Sequence, residues 1–184
     1  MSRFTVTSTA LDGLVCIQRQ RRGDTRGWFS RLFCADELAA AGFRQPVSQI
    51  NHTQTRRSGS VRGLHFQHPP HAEDKLVSCI RGEVFDVAVD LRKESRTFLQ
   101  WHAEVLSGDN MRSLLIPKGF AHGFQALSDD VELIYLHSEP YAPGAEGGLN
   151  SLDPMLAIAW PLPLADLSDR DAAHPYLTTD FGGI

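Results

Sequence analysis

Alternation with a period of two, cut at short intervals by turn chemistry, constrains this chain most. From Lys75 onward the pattern is strand-like. Phe85, Val87 and Val89 fall on one side of an extended segment, and Val84, Asp86, Ala88 and Asp90 on the other. Arg81-Gly82-Glu83 reads as the turn before it and Ser107-Gly108-Asp109-Asn110 as another. Met111 to Ile116 then reads as a strand that stops at Pro117, which has no N–H for a ladder. Val131 to His137 alternates again, with Val131, Leu133, Tyr135 and His137 sharing a face. Repeated short strands at this spacing predict a mainly β chain, a β-sandwich or jelly roll with a few short helices. One helix is expected over Ala35 to Ala41, Ala-rich and stopped by Gly42. A second is expected to start at Ser168-Asp169-Arg170-Asp171, with Ser168 as N-cap.

Length and charge narrow the function. A chain of 184 residues with 42% hydrophobic and 22% charged residues fits one globular domain over 1–184. A formal net charge of −4 carries no basic footprint, so nucleic acid is not an expected partner. Cys16, Cys34 and Cys79 are odd in number and lack CxxC spacing, which argues against a disulfide framework and a zinc knuckle. Leu14-Val15-Cys16-Ile17, the longest apolar run near the N-terminus, is too short for a signal segment or a membrane span. A reduced, cytoplasmic protein with no membrane partner is expected.

Three segments carry the chemistry. Arg62-Gly63-Leu64-His65-Phe66-Gln67, Lys75-Leu76-Val77 and the run from Pro117 to Phe124 set a guanidinium, two imidazoles and an ammonium among apolar residues. Such groups are costly to bury without partners, so together they point to one lined pocket. His65 is the candidate general base, because a neutral imidazole accepts a proton near neutral pH. A period of two puts Arg62 and His65 on opposite faces, and a bulge at Gly63 would bring both inward. Lys75 opens an apolar strand, where a snorkelling side chain and an ammonium aimed at a developing oxyanion both fit. Tyr135 is either a core tyrosine or a proton donor. Asp171 suits a helix N-terminus and equally a carboxylate that orients His65. A metal site lacks its usual His-x-His pair, since the second position after His65 is Gln67.

These residues together resemble the dTDP-4-dehydrorhamnose 3,5-epimerase family. The resemblance rests on Arg62 to Gln67, Lys75 to Val77, Gly82 to Arg92 and Pro117 to Phe124, with Asp24 to Gly27, Gln49 to Asn51, Tyr141 to Pro143 and Ser168 to Asp171 in the same order and spacing. It covers the chain from about Leu14 to Pro175. It implies a cupin-type jelly roll working as a homodimer with no cofactor and no metal. The implied reaction inverts C3 and C5 of dTDP-4-keto-6-deoxyglucose, a nucleotide sugar whose C4 ketone acidifies both neighbouring carbons. By resemblance His65 is the base, Asp171 its partner, Lys75 the stabiliser of the enolate oxygen and Tyr135 the acid on the opposite face. Arg62, His122 and Tyr141 match substrate-pocket positions, and Arg26, Gln49 and Asn51 match positions that hold the nucleotide sugar. A structural role is expected for Asp86.

The chain departs from the family pattern at Arg31, where many members are acidic, at Leu149 to Ser151, and at Arg96 and Leu99. None of these belongs to the proton-transfer set. The alternatives are an epimerase acting at C3 or C5 alone on a related sugar, a cupin that only binds a sugar nucleotide, and a metal-dependent cupin.

Overall fold

The computed structural model describes residues 2–184. Its strands are β1 (Phe4–Ser8), β2 (Val15–Arg19), β3 (Arg21–Asp24), β4 (Gly27–Ser30), β5 (Gln49–Thr55), β6 (Val61–Gln67) and β7 (Lys75–Arg81). They continue with β8 (Glu83–Asp90), β9 (Trp101–Ser107), β10 (Arg112–Ile116), β11 (Phe120–Ala126), β12 (Val131–His137) and β13 (Glu146–Gly148). The α-helices are α1 (Ala35–Ala39) and α2 (Asp169–Ala172), with one 3-10 turn at Pro143–Ala145. No helix among the described residues is long and apolar enough to cross a membrane.

Two antiparallel sheets make a cupin-like jelly roll. One runs β1-β2-β10-β7-β12-β5 and the other β13-β6-β11-β8-β9, while β3 and β4 pair only with each other. The space between the sheets holds Val77, Cys79, Leu114, Ile116 and Leu133 from one side and Val84, Ala88, Leu106, Phe120 and Phe124 from the other. Both outer faces are also covered. Leu38 of α1 and Phe43 pack on Ile17, Leu76, Leu115 and Leu136. Leu149, Leu156 and Leu177 pack on Val87, Val89 and Ala121. Double coverage explains why β8 buries Val84 and Ala88 one way and Val87 and Val89 the other, as its alternation predicts.

Most of the expected elements form with small shifts. The α1 segment is shorter than expected: after Ala39 the backbone tightens into three-residue turns, with the Ala41 N–H on Leu38 O and the Gly42 N–H on Ala39 O. Gly42 then stops it at φ +121°. The strand expected from Met111 begins instead at Arg112. Met111 takes a left-handed φ of +58° to close the turn in which Asn110 and Ser107 exchange side-chain hydrogen bonds.

Candidate active site

The inward-facing residues turn from apolar to polar toward one end of the sandwich, and that change makes the site. Along β7 the inward series Cys79, Val77 ends in Lys75; along β12 Val131 and Leu133 lead to Tyr135 and His137. β5 adds Gln49 and Asn51, and β11 adds His122 beside Phe124. These side chains line a cavity of ≈ 340 Å³ with Arg62 and His65 of β6, Tyr141, Glu146 and Arg170. It shares Arg62, His65 and Arg170 with an adjoining cleft of ≈ 740 Å³ that reaches Gln54, Arg56 and Ser168.

A bulge brings Arg62 and His65 to the same side. His122 pairs in register with His65 but Phe124 pairs with Arg62, so two steps of β11 face three of β6. Gly63 takes the extra step at φ +109°, and a Cβ there would lie 2.6 Å from the His122 carbonyl oxygen. Its freed N–H donates to Asp171 Oδ2 at 3.2 Å.

Asp171 does both jobs open to it. Its N–H donates to Ser168 Oγ at 3.1 Å, so Ser168 caps α2 as expected. Its Oδ1 lies 2.7 Å from His65 Nε2. Burial alone would raise the Asp171 carboxyl, but hydrogen bonds from His65 and Gly63 outweigh it and hold the group below the usual carboxylate range. The short contact puts the proton on Nε2 and leaves the lone pair on Nδ1. His65 itself is pulled below an ordinary imidazole, chiefly by burial; Asp171 opposes this, and the Arg170 and Lys75 cations reinforce it. A neutral, oriented imidazole results.

On the facing sheet Lys75 is 8% exposed and points inward, which discards the snorkelling reading. Its Nζ lies 3.1 Å from Glu73 Oε1, and Glu73 Oε2 accepts from His137 Nδ1 at 2.8 Å. The Tyr135 phenol is pushed well above its ordinary range, first by burial and then by the Asp86 charge, so it keeps its proton at neutral pH. Its ring meets His122 edge-on at 6.0 Å. Asp86 is fully buried and binds His122 Nε2 at 2.8 Å, which fixes that ring from behind, in keeping with the structural role expected for it.

The remaining expected residues divide. Gln49 Oε1 accepts the Tyr141 N–H at 3.0 Å, and Tyr141 donates its hydroxyl to Glu146 at 2.9 Å. Asn51 Nδ2 sits 3.4 Å from His137 Nε2. Arg26 is not brought to this cavity within one chain. It lies at the β3–β4 turn, ion-paired with Asp24 at 2.6 Å, beside exposed Trp28 and Phe29. Five cavity residues are not among those the sequence singles out: Thr53, Glu73, His137, Glu146 and Arg170. Arg170 lies inside the Ser168 to Asp171 motif and His137 on the face shared with Tyr135, while Glu73 lies in the polar run before Lys75.

His65, Asp171 and His174 offer ligand atoms within 4.8 Å of one another, close enough to hold a metal ion. The Arg170 guanidinium stands 3.2 Å from His65 Nε2, where it opposes a second cation. The group is better described as a hydrogen-bonded dyad with a neighbouring imidazole.

Comparisons with known proteins show the family. A family model described as dTDP-4-dehydrorhamnose 3,5-epimerase matches residues 8–179. The Salmonella typhimurium dTDP-4-dehydrorhamnose 3,5-epimerase is 43% identical over 94% of this chain and 94% of its own. A Streptomyces niveus dTDP-4-dehydrorhamnose 3-epimerase is 41% identical over 88% of this chain and 78% of its own. Among solved structures, the dTDP-6-deoxy-D-glucose-3,5-epimerase of Legionella pneumophila, in complex with dTDP-4-keto-L-rhamnose, superposes with a TM-score of 0.90 at 42% identity, covering 94% of this chain and 92% of that one. The chain belongs to the dTDP-4-dehydrorhamnose 3,5-epimerase family and is an epimerase.

Proposed function

We propose that the protein converts dTDP-4-keto-6-deoxy-D-glucose to dTDP-4-keto-L-rhamnose by inverting C3 and C5 through enolates, without a metal or cofactor. One observation carries this reading. His65 belongs to one sheet and Tyr135 and Lys75 to the other, and all three line the same cavity. Inversion needs a base and an acid on opposite faces of the carbon, and facing sheets supply them.

His65 takes the proton from a carbon beside the ketone, and the C–H electron pair moves into the carbonyl to leave an enolate. Lys75 stabilises the oxygen as it becomes negative. Tyr135 then delivers its proton to the opposite face, and solvent restores the phenol while His65 loses the proton it gained. The same cycle at the second carbon completes the product. Arg62 offers the pyrophosphate a planar fork, and the adjoining cleft gives the nucleotide room. Gln49, Asn51, His122 and Tyr141 bind the substrate along the wall, with the whole chain acting as one domain.

Arg26 completes the site of a second copy in a homodimer. The β3–β4 hairpin pairs with no other strand and exposes Trp28 at 58% and Phe29 at 62%, apolar surface suited to a partner. The three cysteines are free, which suits action in a reducing cytoplasm.

The test is NMR of the protein with dTDP-4-keto-6-deoxyglucose in D2O. Deuterium at both C3 and C5, with the L-lyxo product trapped by a coupled reductase, is expected. The 3-epimerase relative makes single inversion the second reading, and label at C3 alone would establish it. Tight binding without label would leave a sugar-nucleotide-binding protein.

A further inference from the structure

Glu73 has no part in the proton-transfer scheme, yet it is built into the cavity wall with care. Its side chain is 8% exposed, and each oxygen has a donor: Lys75 Nζ at 3.1 Å and His137 Nδ1 at 2.8 Å. Lys75 and His137 stand directly opposite each other in the β7–β12 ladder, both pointing inward. His137 is itself held, its ring stacked on Tyr135 at 6.1 Å and its Nε2 3.4 Å from Asn51.

A carboxylate beside the ammonium weakens the positive field that an enolate feels, so charge alone does not account for it. Placement does. A lysine side chain has four flexible carbons and a large share of rotamer entropy to lose. Its ammonium is useful only within hydrogen-bond reach of the oxygen that becomes negative. A carboxylate locked from behind by an imidazole holds Nζ at one point and leaves its other N–H bonds directed into the cavity.

We propose that Glu73, anchored by His137, is a positioning residue that holds the Lys75 ammonium on the enolate oxygen; the inference rests on the epimerase reading above. The full-length protein is assayed with dTDP-4-keto-6-deoxyglucose for deuterium uptake, with kcat and KM separated, in Glu73→Gln, His137→Leu and His137→Asn. Glu73→Gln keeps the shape and loses the charge that fixes the ammonium, and is expected to lower kcat for exchange by about 10²-fold with little change in KM. His137→Leu falls in the same direction. His137→Asn, whose Nδ2 can donate where Nδ1 did, recovers most of the rate. Equal loss in both His137 variants, or a change in KM alone, would mark a structural role and overturn the proposal. So would wild-type kcat in Glu73→Gln. If Glu73→Gln does not fold, the Leu and Asn pair at 137 decides alone. A wild-type protein that exchanges normally beside unaffected variants removes only this inference; a wild-type protein that exchanges nothing removes the epimerase reading and this one together.

Discussion

Phe124 pairs across the ladder with Arg62, while His122, only two residues earlier, pairs with His65, three residues away. That one-residue mismatch turns Arg62 and His65 into the same cavity, and Gly63 makes it possible. Any side chain at 63 meets the backbone of β11: Cβ would lie 2.6 Å from His122 O and 2.7 Å from Gly123 Cα. Gly63→Ala is therefore expected to destabilise the fold by about 1–3 kcal/mol from backbone conformation alone, with a contact penalty added. It should also displace His65 and slow exchange. Urea unfolding measured beside deuterium uptake checks both; an alanine variant with native stability and rate would remove the bulge from the argument.

Asp171→Asn keeps the shape but withdraws the charge that orients His65 and favours its protonated form. Exchange should fall by roughly 10²- to 10⁴-fold. The wild-type base is already below an ordinary imidazole, so its acid limb lies below about pH 6.5. Loss of the carboxylate removes the one influence raising it, so the limb should move to still lower pH. A limb that moves upward would show that Asp171 is not acting on His65.

Much of this arrangement was legible in the chain, because period-two alternation and turn residues are local. The two faces of β8 and the Ser168 cap each follow from a few neighbouring residues, whereas Gly63 only allows a bulge, which the register of β6 against β11 then fixes. Glu73 and His137 were not legible as a pair. Their contact depends on where the loop before β7 folds back against β12, which no local pattern encodes. Arg26 illustrates a different limit. Its motif is recognisable, but its hairpin lies away from the cavity of its own chain.

Asp90 is fully buried and gathers the Arg92 fork and the hydroxyls of Ser95 and Thr97, shaping the loop after β8. Burial would raise its carboxyl, but these donors outweigh it and hold it at about 2. A depressed carboxyl contributes stability above its unfolded value near 3.9, and that contribution is lost as pH falls toward the folded value. Asp90→Asn is expected to cost about 2 kcal/mol at pH 7, with the deficit shrinking between about pH 4 and 2. Thermal or urea unfolding across that range checks it, and a deficit independent of pH would assign the loss to packing instead.

Complementation between two variants distinguishes action of Arg26 across a dimer from action within its own chain. If the hairpin serves its own chain, mixing two inactive variants recovers nothing. If it serves the partner, Arg26→Ala and His65→Ala complement each other. In a mixed dimer, the chain that keeps His65 receives Arg26 from its companion, so one site has both groups and the other has neither. Subunits exchanged under mild denaturant and refolded together should regain activity, approaching half the wild-type rate per mixed dimer. Trp28→Ser with Phe29→Ser in both chains should abolish this recovery by removing the exposed aromatic surface that seats the hairpin. Sedimentation of that double variant should show the monomer. No recovery in a proven mixed dimer would place Arg26 in the site of its own chain, and full activity of Arg26→Ala by itself would take it out of the site altogether.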